Sequence, residues 1–279
     1  MGTKTLASIG KTSPESSSRI GRTFARLRAA RRAGLIAYLT AGDPSPKHTP
    51  RLAAALERGG ADLIELGVPF SDPIADGPVI QRASERALRA GMTLRGVLEI
   101  AGSIRERSEI PIILFTYLNP VVRYGFEALA RDAAARGIDG CLLTDLSVEE
   151  ADTYVRALRA KGLDTIFLAA PTSTERRLRL VAEYSSGFVY VVSRTGVTGE
   201  QSSVSEAVGP LIEKLRGVTR LPLAVGFGIS TVEQARQVGG LADGVVVGSA
   251  VVRTIEQNAE SPDLEARVEA LARELRSGL

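Results

Sequence analysis

The 279-residue chain has one cysteine, one histidine, two methionines, no tryptophan and an aromatic content of 5%. A lone Cys141 cannot build a disulfide framework, and such a chain suits a reducing compartment. His48 stands alone in the polar loop 44–50 and reads as solvated, so neither a histidine-based metal site nor a Ser-His-Asp triad can be assembled. No apolar run reaches the roughly 18–20 residues that cross a bilayer. No lysine ends a candidate strand, because Lys47, Lys161 and Lys214 fall in loop or helix, which argues against Schiff-base chemistry. Large single-sign charge is also missing, with a net charge of only +3. Residues 1–32 carry eight basic side chains and one acid, leaving 27 basic and 31 acidic residues beyond them, a net of −4. The body is therefore mildly acidic, and no nucleic-acid or membrane partner is expected.

What is present is a regular beat. The first eighteen residues are polar and serine-rich and read as a disordered tail, with a short transit peptide as the alternative. From Arg19, the apolar Ile20, Phe24 and Leu27 recur at helical spacing. Eight apolar runs follow, at 35–39, 62–66, 112–115, 140–143, 164–168, 188–192, 221–225 and 244–247. Between them lie segments of helical period at 50–58, 79–90, 126–136, 148–160, 175–184, 204–215 and 231–238. Near-continuous Val, Ile and Leu is what parallel strands covered on both faces require. Eight such strand–helix units in this length predict a (β/α)8 (TIM) barrel over 19–279, with an extra N-terminal helix and added helices at 94–106 and 264–275. The alternative, a doubly wound open sheet, usually has fewer strands and carries a nucleotide fingerprint that is missing here.

A barrel puts its chemistry in the loops after strand C-termini. Strand two reads Asp62-Leu-Ile-Glu65-Leu-Gly67. If Ile64 and Leu66 pack on helices, period-two alternation turns Glu65 into the barrel top. Desolvation there would raise its pKa toward the range useful for proton transfer. A strand end at a wet rim is the bland alternative. The proline-rich stretch 68–78 that follows carries Asp76, which serves either as a second functional carboxylate or as a cap for the next helix. Glycine-bearing loops after strands six, seven and eight (193–199, 226–230 and 248–250) offer backbone amides to an oxyanion. Jointly they favour a phosphorylated ligand, with the first loop reading as a lid. Cys141 reads as a small core hydrophobe.

The fourteen residues Glu65-Leu-Gly-Val-Pro-Phe-Ser-Asp-Pro-Ile-Ala-Asp76-Gly-Pro closely resemble the signature of the tryptophan synthase α subunit family. Supporting matches are Leu39-Thr-Ala-Gly-Asp-Pro44, Tyr117-Leu-Asn-Pro120, Ser193-Arg-Thr-Gly-Val-Thr-Gly199 and Gly226-Phe-Gly-Ile-Ser230. The resemblance implies a lyase that splits indole-3-glycerol phosphate into indole and glyceraldehyde 3-phosphate without a cofactor. It implies Glu65 as general acid/base and Asp76 as acceptor of the indole N–H. By the same resemblance Tyr38, Tyr117 and Tyr190 line the substrate pocket, with Tyr38 standing where the family often has Phe. Thr198 matches a lid threonine, and Gly199, Gly228, Gly248 and Ser249 match phosphate-binding positions. The implied partner is a pyridoxal-phosphate β subunit in a cytoplasmic α2β2 complex. The rivals are a sugar-phosphate isomerase on the same barrel, a non-catalytic activator of the β subunit, and a stand-alone indole lyase.

Overall fold

The fold was analysed in a computed structural model, which describes residues 18–193, 207–226 and 228–279. The strands are Gly34–Thr40 (β1), Leu63–Gly67 (β2), Ile112–Thr116 (β3), Gly140–Leu143 (β4), Asp164–Ile166 (β5), Leu168–Ala169 (β6), Val189–Val192 (β7), Leu223–Gly226 (β8) and Gly244–Val247 (β9). All pairings are parallel, in the order β5-β4-β3-β2-β1-β9-β8-β7-β6. The fifth strand expected from sequence is thus present as two pieces broken at Phe167. Its first half pairs with β4 and its second with β7, so one short stretch of backbone nearly closes the barrel. Phe167 bridges the break: its carbonyl accepts from Tyr190 N at 3.1 Å. Its ring turns outward, edge-on to Tyr154 and Tyr184 at centroid distances of 6.4 and 6.3 Å.

Twelve α-helices surround the strands among the described residues. Ten coincide with periodic segments read from sequence. The expected helix at 148–160 is a 3-10 turn, Val148–Glu150, followed by the helix Asp152–Arg159. Two helices were not expected. Leu118–Tyr124 is too short to establish a period, and Ser249–Gln257 continues the valine-rich run of β9 so that strand and helix merge in the sequence. No described helix is long and apolar enough to cross a membrane.

Alternation along the strands divides the apolar side chains into two cores. Leu35, Ala37, Leu39, Ile64, Leu66, Ile112, Leu114, Val245 and Val247 face the helices. Ile36, Tyr38, Leu63, Ile113, Phe115, Leu142, Ile166, Phe188, Tyr190, Ala224 and Val246 fill the barrel. The lower end of this inner core is stoppered by the helix Arg19–Ala29, whose Ile20, Phe24 and Leu27 join it. Phe24 meets Phe188 with ring centroids 5.7 Å apart. Ser18, the one residue of the expected tail that is described, caps this helix by accepting from Gly21 N at 3.1 Å.

The same end is stitched by aspartates that precede strands. Asp62, Asp139 and Asp243 accept from Leu35 N, Ile112 N and Leu223 N at 3.0, 2.8 and 2.8 Å, each an amide at the start of a neighbouring strand. Each also binds an arginine: Arg32 at 2.7 Å, Arg105 at 2.8 Å and Arg216 at 2.5 Å, respectively. Strand register at the floor is thereby held by charge-assisted bonds, away from the chemistry above.

The stopper predicts a clean separation of stability from substrate affinity. Phe24→Ala should destabilise the fold by about 3–5 kcal/mol in urea denaturation, with the substrate KM unchanged at temperatures where the variant is folded. A loss below about 1 kcal/mol would mean that the helix does not seal the floor.

Candidate active site

At the opposite end of the barrel, Tyr38, Glu65, Asp76, Ile80, Phe115, Tyr190, Gly228, Val246, Gly248 and Ser249 line one cavity. Seven of these were singled out from sequence, namely Tyr38, Glu65, Asp76, Tyr190, Gly228, Gly248 and Ser249. Thr198 and Gly199 lie outside the described residues. Ile80, Phe115 and Val246 were missed, although the parity that aims Glu65 inward also aims Phe115 and Val246 inward.

Glu65 sits in the middle of β2 between Ile64 and Leu66, both packed outward. It is 1% exposed, and its Oε1 has no hydrogen-bond partner among the described residues. Burial pushes its carboxyl up to about 8 from the usual 4.5. An ion here would be desolvated without compensation, so the neutral acid is favoured near neutrality.

Asp76 is placed differently. It ends the proline-rich loop, one residue before Gly77 and the helix Pro78–Arg89, and Gln81 Nε2 donates to its carbonyl at 2.8 Å. Gly77, not Asp76, occupies the N-cap position, which removes the capping alternative. Its carboxyl is held at about 6, raised by burial and partly restored by a hydrogen bond from Tyr117. The Tyr117 hydroxyl also accepts from Ala75 N at 3.1 Å, and its ring lies 5.1 Å from that of Phe70. Tyr117 therefore shapes the loop that presents Asp76 and is absent from the cavity lining itself. The site thus holds two carboxyls with unequal surroundings, one neutral and one ionised at neutral pH.

The aromatic wall depends on close approach to backbone. A Cβ on Gly67 would fall 2.2 Å from Tyr38 Oη, and one on Gly226 would fall 2.0 Å from Tyr190 Oη. Only glycine leaves room for both hydroxyls at these strand ends. Tyr38 packs edge-on to Phe115 at 5.3 Å, and its hydroxyl lies 3.4 Å from Thr40 Oγ1. Burial raises the phenol pKa of both Tyr38 and Tyr190, with further contributions from the nearby Asp76 and Glu65.

Across the cavity two helix N-termini differ in availability. The helix Val232–Gly239 is closed by a capping box: Thr231 Oγ1 accepts from Gln234 N, while Gln234 Oε1 accepts from Thr231 N and Ser230 N. The helix Ser249–Gln257 begins after Gly248, which has no side chain to cap it. Its first-turn amides thus have no intrahelical acceptor and, with the helix dipole, suit an anion. The left-handed Gly228 (φ 89°) lies beside this cradle. The amides of Ser230 and Thr231 are taken, and Gly228 is the residue of the described part of the 226–230 loop that lines the cavity. Cys141 and His48 lie apart from the cavity. Cys141 is buried, with its thiol pushed up to about 12, and His48 Nδ1 meets Ser45 Oγ at 2.9 Å.

Comparison with known proteins gives one answer. The family profile described as "Tryptophan synthase alpha chain" matches residues 24–279. The tryptophan synthase alpha chain of Solibacter usitatus is 67% identical, covering 94% of this chain and 98% of the relative. That of Geotalea uraniireducens is 50% identical, with the same two coverages. Among solved structures, Mycobacterium tuberculosis tryptophan synthase superposes with a TM-score of 0.87 at 42% identity, covering 94% of this chain and 98% of that one. The alpha subunit from Legionella pneumophila gives a TM-score of 0.86 at 38% identity, again covering 94% and 98%. With a profile that spans all but the first residues and relatives similar along nearly their whole length, this chain belongs to the tryptophan synthase alpha chain family.

Proposed function

We infer that this chain cleaves indole-3-glycerol phosphate to indole and glyceraldehyde 3-phosphate, the α reaction of tryptophan synthase in tryptophan biosynthesis, and that Glu65 and Asp76 carry it. The observation that supports this assignment is the shared cavity, with a buried Glu65 whose Oε1 has no partner among the described residues, the loop carboxylate Asp76 and an uncapped helix N-terminus around one apolar space. Glu65 delivers its proton to the ring carbon that bears the glycerol chain. Its carboxylate then takes the proton of the adjacent hydroxyl as the carbon–carbon bond breaks, and the ring regains aromaticity. Asp76 accepts the indole N–H and stabilises the positive charge that ring protonation places on that nitrogen. Gly228, Gly248 and Ser249 hold the phosphate, whose binding energy orients the reacting carbons. By the family resemblance Thr198 is the lid threonine and Gly199 a phosphate-binding position, both outside the described residues, and Tyr38, Tyr117 and Tyr190 form or support the ring pocket. Neither the isomerase nor the docking-only reading accounts for a proton donor and an N–H acceptor facing one apolar space.

A β subunit is the partner that membership implies. An α2β2 assembly, a pyridoxal-phosphate β subunit and a cytoplasmic site of reaction are the finer parts of the proposal. Ile74 and Val122, 75% and 57% exposed on the segments after β2 and β3, offer apolar side chains to such a partner.

Indole release from indole-3-glycerol phosphate tests the assignment directly. Glu65→Gln should lower kcat by about 100-fold or more with substrate binding retained; turnover near that of the unaltered chain would refute the role. The pH profile of kcat/KM should be bell-shaped. Activity should rise as Asp76 ionises through about 6 and fall as Glu65 loses its proton through about 8.

Stability should show the opposite side of the same burial. The folded pKa of Glu65 lies above its unfolded value, so its carboxyl is neutral in both states at low pH, and its burial opposes folding increasingly from 4.5 up to about 8 and levels off above that. Glu65→Gln should therefore have little effect on stability near pH 4 and stabilise the fold by up to roughly 4 kcal/mol near pH 9, as read by denaturant titration at the two pH values.

A further inference from the structure

The two ends of the cavity hang from different helices. Asp76 leads into Pro78–Arg89, and Gly248 leads into Ser249–Gln257. A cluster of four charged side chains, none of which lines the cavity, joins the two. Arg82 forks onto Glu256 with Nε–Oε1 and Nη2–Oε2 distances of 2.8 and 2.7 Å. Arg86 Nη1 donates to the same carboxylate at 2.7 Å. The remaining edge of Arg86 forks onto Asp43, with Nε–Oδ1 at 2.7 Å and Nη2–Oδ2 at 3.0 Å.

Asp43 belongs to a third element, the loop that follows β1, the strand bearing Tyr38. It is 1% exposed, and its loop is pressed against the Asp76 helix. Gly42 is left-handed at φ 92°, and a Cβ there would meet Ala87 Cβ at 3.2 Å. Gly42 N donates to Thr49 Oγ1 at 2.9 Å, which fixes the loop from its other side. One guanidinium thus ties together the strand loop beside Tyr38, the helix that presents Asp76 and the helix that opens the phosphate cradle.

We propose that Arg86 is a positioning residue that sets the span between Asp76 and the Gly248–Ser249 cradle, so that the ring and phosphate ends of one substrate are gripped at the separation cleavage needs. The proposal rests on the cleavage reading above. A planar fork suits the task, since two parallel N–H groups engage Asp43 while a third reaches Glu256. A lysine in its place offers a single point charge and cannot fix both partners. The effect concerns span alone. Indole touches only the ring end and phosphate only the cradle, so neither fragment reads the distance between them, whereas the intact substrate does.

The test uses the full-length chain and three variants, Arg86→Met, Arg86→Lys and Glu256→Gln. Steady-state indole release is measured beside equilibrium titrations with indole alone and with inorganic phosphate alone. Arg86→Met should lower kcat/KM by about tenfold or more, with each fragment affinity changed by less than about threefold. Arg86→Lys should resemble Met more than Arg. Glu256→Gln, which leaves the Asp43 fork intact, should lower kcat/KM by about three- to tenfold with fragment binding preserved, and it decides the matter if Arg86→Met does not fold. Unchanged kcat/KM in the folded variants, or fragment affinities that fall as far as kcat/KM, would overturn the proposal. An unaltered chain that releases no indole would overturn the cleavage reading and this inference together, whereas normal release by the variants overturns this inference alone.

Discussion

Everything in this molecule depends on the two-residue alternation of a parallel strand bent into a ring. Each strand must satisfy a helix on one side and a crowded interior on the other. The outer face takes mostly branched aliphatics, with Ala37 and Phe167 among the exceptions. The inner core changes character with height, from Ile20, Phe24 and Leu27 of the stopper helix at the floor to Tyr38, Phe115 and Tyr190 of the strands at the top. Glu65 occupies one of these inward positions, where water is excluded by the same packing that stabilises the barrel. Its raised pKa is thus a by-product of the fold and not of a dedicated partner.

Asp76 illustrates the complementary strategy. It is carried by a loop, outside any strand, and it retains one hydrogen bond from Tyr117. The loop is stiffened by Pro69, Pro73 and Pro78 and tied by Ala75 N to the Tyr117 hydroxyl. Proline restricts the unfolded loop, so less entropy opposes its ordering. The result is two carboxyls in one space whose proton affinities are set by independent means, one by the strand and the other by a loop anchor.

Much of this was legible in the sequence. The strand beat, the inward turn of Glu65 and the glycine loops follow from period and position alone, and the structure brings Glu65, Gly228, Gly248 and Ser249 to one cavity, while 194–199 lie outside the described residues. What escaped did so for physical reasons. Phe167 breaks the fifth strand without a proline or glycine to announce it. Ser249–Gln257 hides behind β9 because valine serves both strand and buried helix. Asp43 enters the sequence only as part of the 39–44 match, and only folding brings it to Arg86, 43 positions away, and brings Arg86 to Glu256, 170 positions away. The strand-opening aspartates were invisible for the same reason: their partners are amides of neighbouring strands.

The stoppered floor has a consequence for traffic. With Ile20, Phe24 and Leu27 wedged beneath the inner core, the vessel is a cul-de-sac. Among the described residues the floor gives a freed aromatic fragment no way out, so it leaves by the doorway at the upper end, where the cavity lies. Whatever stands at that doorway, be it solvent or a neighbouring subunit, is therefore the first thing the departing fragment meets.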